Sequence, residues 1–193
     1  MKEVFAVASL GLSLIANIPY VFEIVKGKAR PERISWLLWT ILGVTYYLTA
    51  LFEDGATFFT FGELIGPVII LLLSLKSGVG GRSRFDKYSL ALASIAFGLL
   101  FVVDGVLISL ALALFVDAIG IVLTMRKLLA DPASESKSFW GIAFVSSVLA
   151  VLSLNNYTVE TMAFPVYVII VSALIFIKTN PAHEQNVKQI EKF

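Results

Sequence analysis

The stretches ANIPYVFEIVKGKARPERISWLLW, residues 16–39, and DAIGIVLTMRKLLADPASESKSFW, residues 117–140, are two diverged copies of one segment at a constant offset. Pro19 falls over Gly120, Lys26 over Lys127, Pro31 over Pro132, Ser35 over Ser136 and Trp39 over Trp140. In each copy an apolar helix runs into a basic loop containing proline, and a serine and a tryptophan then open the next apolar stretch. Duplicated membrane helices are the usual construction of a carrier whose site lies between the copies.

Composition agrees with that class. At 58% hydrophobic residues and a mean hydropathy of +0.88, the 193-residue chain has too little polar surface to coat a water-soluble globule. A spanning helix needs about 20 mostly apolar residues, and seven segments are expected to qualify: 4–25, 34–52, 57–75, 88–103, 106–125, 138–154 and 161–178. The first is longer than the apolar run of a signal peptide and has an internal repeat partner, so it is read as a retained helix.

The loops alternate in charge. Lys26, Lys28, Arg30 and Arg33 follow the first segment, Lys76, Arg82, Arg84 and Lys87 the third, Arg126, Lys127 and Lys137 the fifth, and Lys178, Lys188 and Lys192 the seventh. The intervening loops hold Glu53, Asp54, Asp104, Asn155, Asn156 and Glu160 and no basic residue. The positive-inside rule then places the amino terminus outside and the carboxyl tail in the cytoplasm, in an integral protein of the plasma or inner membrane. Basic loops of this kind are topogenic, and no nucleic-acid partner is implied.

Segments one to three form one unit and five to seven the other, and Pro67-Val68 is echoed by Pro165-Val166. An odd number of helices per unit would invert the second copy, and a single extra helix restores its orientation. The expected fold is therefore an all-α membrane protein of seven transmembrane helices, two parallel triple-helix bundles joined by a linker helix (3+1+3). The divisions are 1–76 for the first bundle, 77–104 for the linker and fourth helix, 105–179 for the second bundle and 180–193 for a polar tail. Residues 77–87, SGVGGRSRFDK, read as a flexible linker.

The run Ala16-Asn17-Ile18-Pro19-Tyr20, then Lys26-Gly27-Lys28, Pro31 and Ser35-Trp36-Leu37-Leu38-Trp39, resembles the PQ-loop repeat shared by PQ-loop proteins and the SWEET and SemiSWEET sugar carriers. The resemblance covers both units and the linker helix. It implies seven helices in two triple-helix bundles with the amino terminus outside. Tyr20 stands where that family's name-giving glutamine would be, and Gly120-Ile121 where its second proline and glutamine would be.

A carboxylate in hydrocarbon costs about 2.5 to 3.5 kcal/mol at a helix centre on insertion scales and belongs at a bundle interior. Asp117 is the leading candidate for solute contact or proton coupling, with Glu63 second; the alternative for each is a hydrogen bond to a neighbouring helix or a wet vestibule. Glu23 is expected to form a surface pair with Lys26. Asn17 is a candidate pocket residue or helix-packing contact. Pro19, Pro67 and Pro165 are candidate hinges, with structural kinks as the alternative. Trp36, Trp39 and Trp140 suit interfacial anchoring; the repeat makes Trp39 and Trp140 a candidate paired inner gate or a stacking surface for a ring-shaped solute, with Tyr46, Tyr47 and Tyr167 as further aromatic candidates.

The chain has no cysteine, its single histidine, His183, is in the tail, and Gly78, Gly80 and Gly81 lack the pattern of a phosphate-binding loop. An enzyme is not expected, nor a cofactor or metal. The expected function is a carrier moving a small polar solute, sugar-like or another metabolite, by alternating access, with proton coupling left open. Its partners are that solute and the lipid bilayer, and self-association is left open. The alternatives are a ligand-binding or sorting receptor on the same scaffold and a vitamin or nucleoside uptake carrier.

Overall fold

The structure, a computed structural model, describes residues 1–52 and 57–180, and side chains other than those of residues 49–63. Glu53, Asp54, the Glu63 side chain and the tail from residue 181, with His183, lie outside the described residues. The described residues form seven α-helices and no strand: α1 (Lys2–Val25), α2 (Arg33–Phe52), α3 (Thr57–Ser77), α4 (Arg84–Leu99), α5 (Val106–Ala130), α6 (Lys137–Ser153) and α7 (Val159–Lys178). Three of them, α1, α5 and α7, are long and apolar enough to cross a bilayer, and Leu64–Ser77 and Lys137–Ser153 are shorter apolar stretches. Their outer faces carry large apolar side chains: in α1, Ile18 is 54% exposed, Phe22 59% and Val25 70%. So much bare apolar surface is what a membrane protein presents to lipid.

Helix ends follow local chemistry. Helix α1 stops where Gly27 takes a φ of +68°, with the Gly27 N–H on the Ile24 carbonyl and the Lys28 N–H on that of Glu23, a Schellman closure. Helix α4 begins four residues before the expected start, because Ser83 and Asp86 form a reciprocal capping box ahead of the apolar run. It ends correspondingly at Leu99.

The segment expected to be a flexible linker is tied down instead. The Val79 N–H donates to the Pro31 carbonyl at 2.9 Å, the Arg33 N–H to the Val79 carbonyl at 2.9 Å, and the Arg33 guanidinium to the carbonyls of Ser74 and Gly80. Gly80, at a φ of +84°, is packed so closely on Glu32 that a Cβ there would lie 1.8 Å from the carboxylate. Glycine was read as slack; here it permits contact.

Helix packing has a simple pattern. Helix α1 packs on α3 and α6, α2 on α3 and α5, α7 on α5 and α6, and α4 on α5 and, more lightly, α2. Exchanging α1, α2 and α3 for α5, α6 and α7 converts every contact not involving α4 into another member of the same set. Even single bonds repeat: Val79 N–H to Pro31 O at 2.9 Å matches Asn180 N–H to Pro132 O at 2.8 Å, one repeat further on. An aliphatic core of Ile34, Leu38, Leu42, Ala96, Val116 and Leu123 joins α2, α4 and α5.

Candidate functional site

Asp117 sits near the middle of α5, where desolvation leaves a carboxylate in need of a donor. It has one: the Tyr167 hydroxyl of α7 donates to Asp117 Oδ2 at 2.6 Å. Tyr46, half-exposed on α2, lies within electrostatic reach of the same carboxylate. One turn along α5, Gly120 receives the Trp39 indole so closely that a Cβ would stand 2.9 Å from Nε1. That Trp39 Nε1–H is buried and has no hydrogen-bond partner. An acceptor, a phenol and an unpartnered donor thus line one face between α2, α5 and α7. Of the sequence candidates, Asp117, Tyr167, Tyr46 and Trp39 belong to this cluster.

Asn17 makes a different contact. Its amide packs on Gly66 of α3, where a Cβ would fall 2.4 Å from Oδ1, and its Nδ2 donates to the Ser13 carbonyl at 3.0 Å. Gly66 is the repeat equivalent of Tyr167, and Asn17 stands one position past the equivalent of Asp117, so Asn17 on Gly66 and Asp117 on Tyr167 lie in corresponding helix interfaces of the two copies, one residue out of register. Among the described residues α1 and α5 do not pack on each other, and Asn17 is not in contact with Asp117. Pro19, Pro67 and Pro165 all lie inside helices that continue through them. Each removes a backbone donor, so the Ile15 and Thr161 carbonyls lose their usual partners in α1 and α7.

Aromatic rings cluster at the end of the molecule bearing the basic loops. Trp39 and Trp140 meet edge to face with ring centroids 6.2 Å apart, and Trp36, Phe139 and Tyr20 continue the stack at 4.9 to 5.8 Å. Trp36 and Trp140 are 2% and 5% exposed, which excludes interfacial anchoring for both. Their apolar area is better satisfied by each other than by headgroups.

Glu135, not among the candidates drawn from the sequence, fastens this floor. Its Oε2 accepts from the Tyr20 hydroxyl and the Trp140 Nε1–H, both at 2.9 Å, and its Oε1 pairs with the Lys127 ammonium. Lys127 also donates to the carbonyls of Arg30 at 2.7 Å and Ser134 at 3.3 Å, so its three donors are all used. Tyr20 and Arg30 belong to the first copy and Glu135 to the second, so the cluster latches the copies together. Arg30 and Asp131, repeat equivalents of each other, pair alongside. Glu135 lies in a charged loop, where a solvated side chain is the ordinary expectation; its place beside the helix-opening Ser136 was the only signal.

Glu32 is the second buried carboxylate missed. Its Oε2 accepts from the Ser35 N–H at 2.6 Å and the Ser35 hydroxyl at 2.9 Å, while its Oε1 is buried without a partner. Burial raises its pKa above the ordinary carboxylate range despite the opposing Ser35 bonds. Ser35 also reaches across to the Gly120 carbonyl at 2.7 Å, and the Thr124 hydroxyl donates to Ser35 at 3.0 Å. The expected Glu23 to Lys26 pair does not form; Lys26 instead lies 6.0 Å above the Phe22 ring.

No cluster of potential metal ligands occurs among the described residues. Searches against family models, curated proteins and solved structures return no match to this chain.

Proposed function

We propose that the chain is a carrier for a small polar solute, built as seven spanning helices in a 3+1+3 arrangement of parallel repeats and resembling the PQ-loop scaffold. The observation that carries this reading is the pairing of an intramembrane acid, Asp117 with Tyr167, and an unpartnered Trp39 N–H one helical turn away. A buried donor without a partner costs about 1 to 3 kcal/mol, and a solute bearing an acceptor would satisfy it. The same solute could take a hydrogen bond from Tyr167 or give one to Asp117. On this reading the aromatic cluster of the basic end forms the floor of the site, and the two copies, whose helix contacts exchange under the repeat, rock about it. The topology carried forward from the loop charges places this floor on the cytoplasmic side of the cell membrane.

Solute flux in proteoliposomes, with solutes first selected by thermal stabilisation of the purified protein, tests the proposal. Asp117→Asn keeps an acceptor for Tyr167 and is expected to retain flux while removing any pH dependence. Asp117→Leu strands the Tyr167 hydroxyl and is expected to lower uptake about tenfold or more. Stabilising binding without flux would identify a receptor, and an unchanged Asp117→Leu would remove Asp117 from the site.

A further inference from the structure

A groove of about 320 Å³ runs between α4 and α5, away from the cluster described above. Phe85, Tyr88 and Leu92 line it from α4, and Phe115, Ile119 and Val122 from α5. Its size falls in the range of small-molecule sites, roughly 300 to 1,000 Å³, yet the lining is almost wholly apolar and offers nothing to orient a polar solute. Along α5 the lining residues follow helical spacing, and the next position in that series is Arg126. Its guanidinium lies 4.7 Å from the Phe85 ring centroid and closes one end of the groove.

That end is cationic. Arg126 donates to Asp86 Oδ1 at 3.1 Å and to Ser83 Oγ at 3.3 Å, and remains half exposed. Asp86 is buried, its Oδ2 occupied by the N–H groups of Arg82 at 3.1 Å and Ser83 at 3.0 Å, so its charge is already matched. Arg82, Arg84 and Lys87 are exposed in the same turn and enter no ion pair among the described residues. An apolar trough ending at the paired Arg126, beside the unpaired charges of Arg82, Arg84 and Lys87, is complementary to one molecule type available at a membrane surface, an amphiphile with an anionic head.

We infer that the groove between α4 and α5 binds one anionic phospholipid, with an acyl chain along the apolar floor and the phosphate at Arg82, Arg84 and Arg126. The lipid would fill the seam by which α4 is attached, independently of transport. Each cation near an anionic headgroup changes lipid affinity by roughly fivefold.

Native mass spectrometry and thermal melting of the full chain in detergent, with phosphatidylglycerol and phosphatidylcholine of matched chains, test the inference. Phosphatidylglycerol is expected to be retained preferentially as one copy and to raise the melting temperature. The double variant Arg82→Gln/Arg84→Gln should erase most of that preference while leaving chain-dependent retention. Leu92→Trp, at an exposed position that fills the trough, should abolish retention of either lipid without changing the lipid-free melting temperature. Equal retention of both lipids, reproduction of the shift by inorganic phosphate alone, or a dimer lost in Leu92→Trp in place of a lost lipid would each overturn the assignment.

Discussion

The two copies place the same lysine in opposite surroundings. Lys26 is exposed and rests over Phe22, whereas its equivalent Lys127 is buried, paired with Glu135 and bonded to carbonyls of both loops. The cause is eight residues further on, where the first copy has Ile34, packed in the aliphatic core, and the second has Glu135. The two copies thus differ at this position between aliphatic packing and an ionic latch. The same asymmetry recurs deeper in the membrane. In corresponding interfaces, one residue out of register, the first copy has an amide against a glycine, Asn17 on Gly66, and the second an acid against a phenol, Asp117 on Tyr167. At this interface one copy supplies close packing and the other titratable chemistry.

The largest way to break this comparison is at the latch. Glu135→Leu leaves the buried Lys127 without its counter-charge, and a broken buried pair costs about 3 to 5 kcal/mol. Thermal melting in detergent should show that loss, with Glu135→Leu/Lys127→Met recovering only the part due to the stranded charge, because the Tyr20 and Trp140 donors stay unpartnered, and with Lys26→Ala nearly neutral. Equal effects at Lys26 and Lys127 would mean that the copies do not differ in this way. A smaller effect is expected at Gly66→Ala, because the new Cβ meets the Asn17 amide; overpacking of this kind costs about 1 to 3 kcal/mol. Adding Asn17→Ala should relieve it, and failure of that rescue would place the strain elsewhere on α3.

The smallest effect separates two of the buried carboxylates, Glu32 and Asp86, by pH. Burial raises Glu32, as does Asp86 across on α4, while Lys127 on α5 and the Ser35 bonds pull it down. A raised carboxyl contributes stability that is whole below the ordinary range, about pH 4, and is lost as pH climbs through the raised value. Asp86 runs the other way: burial raises it, but its Ser83 and Arg82 hydrogen bonds and Arg126 outweigh that, so its contribution is lost as pH falls. Glu32→Gln should therefore raise the melting temperature at neutral pH and remove the decline that sets in as pH rises above the ordinary carboxylate range. A decline that persists in Glu32→Gln would assign it to another group.

Some of this was written in the sequence because it depends on local composition. Apolar runs specify helices long enough for a bilayer, and the repeat marks Trp39 with Trp140 and Pro31 with Pro132 as equivalents, whatever the chain does in space. Asp117 could be found for a similar reason, since one acid in an apolar helix conflicts with its surroundings. The start of α4 was misplaced because a capping box of polar residues counts as loop in a hydropathy reading. Glu32 and Glu135 were missed because a carboxylate in a basic loop has two fates, solvated or buried, and identical sequence signals.

What the sequence alone determined is the class of protein, its helices and its internal duplication, all consequences of side-chain hydropathy and repetition along the chain. Only the tertiary structure decided which charges are buried, that Tyr20 and Trp140 share Glu135, that Gly80 lies on Glu32 and that Tyr167 serves Asp117. Each of those is a contact between residues distant in sequence, and burial and hydrogen bonding at such contacts are fixed by how the helices pack rather than by what adjoins each residue in the chain.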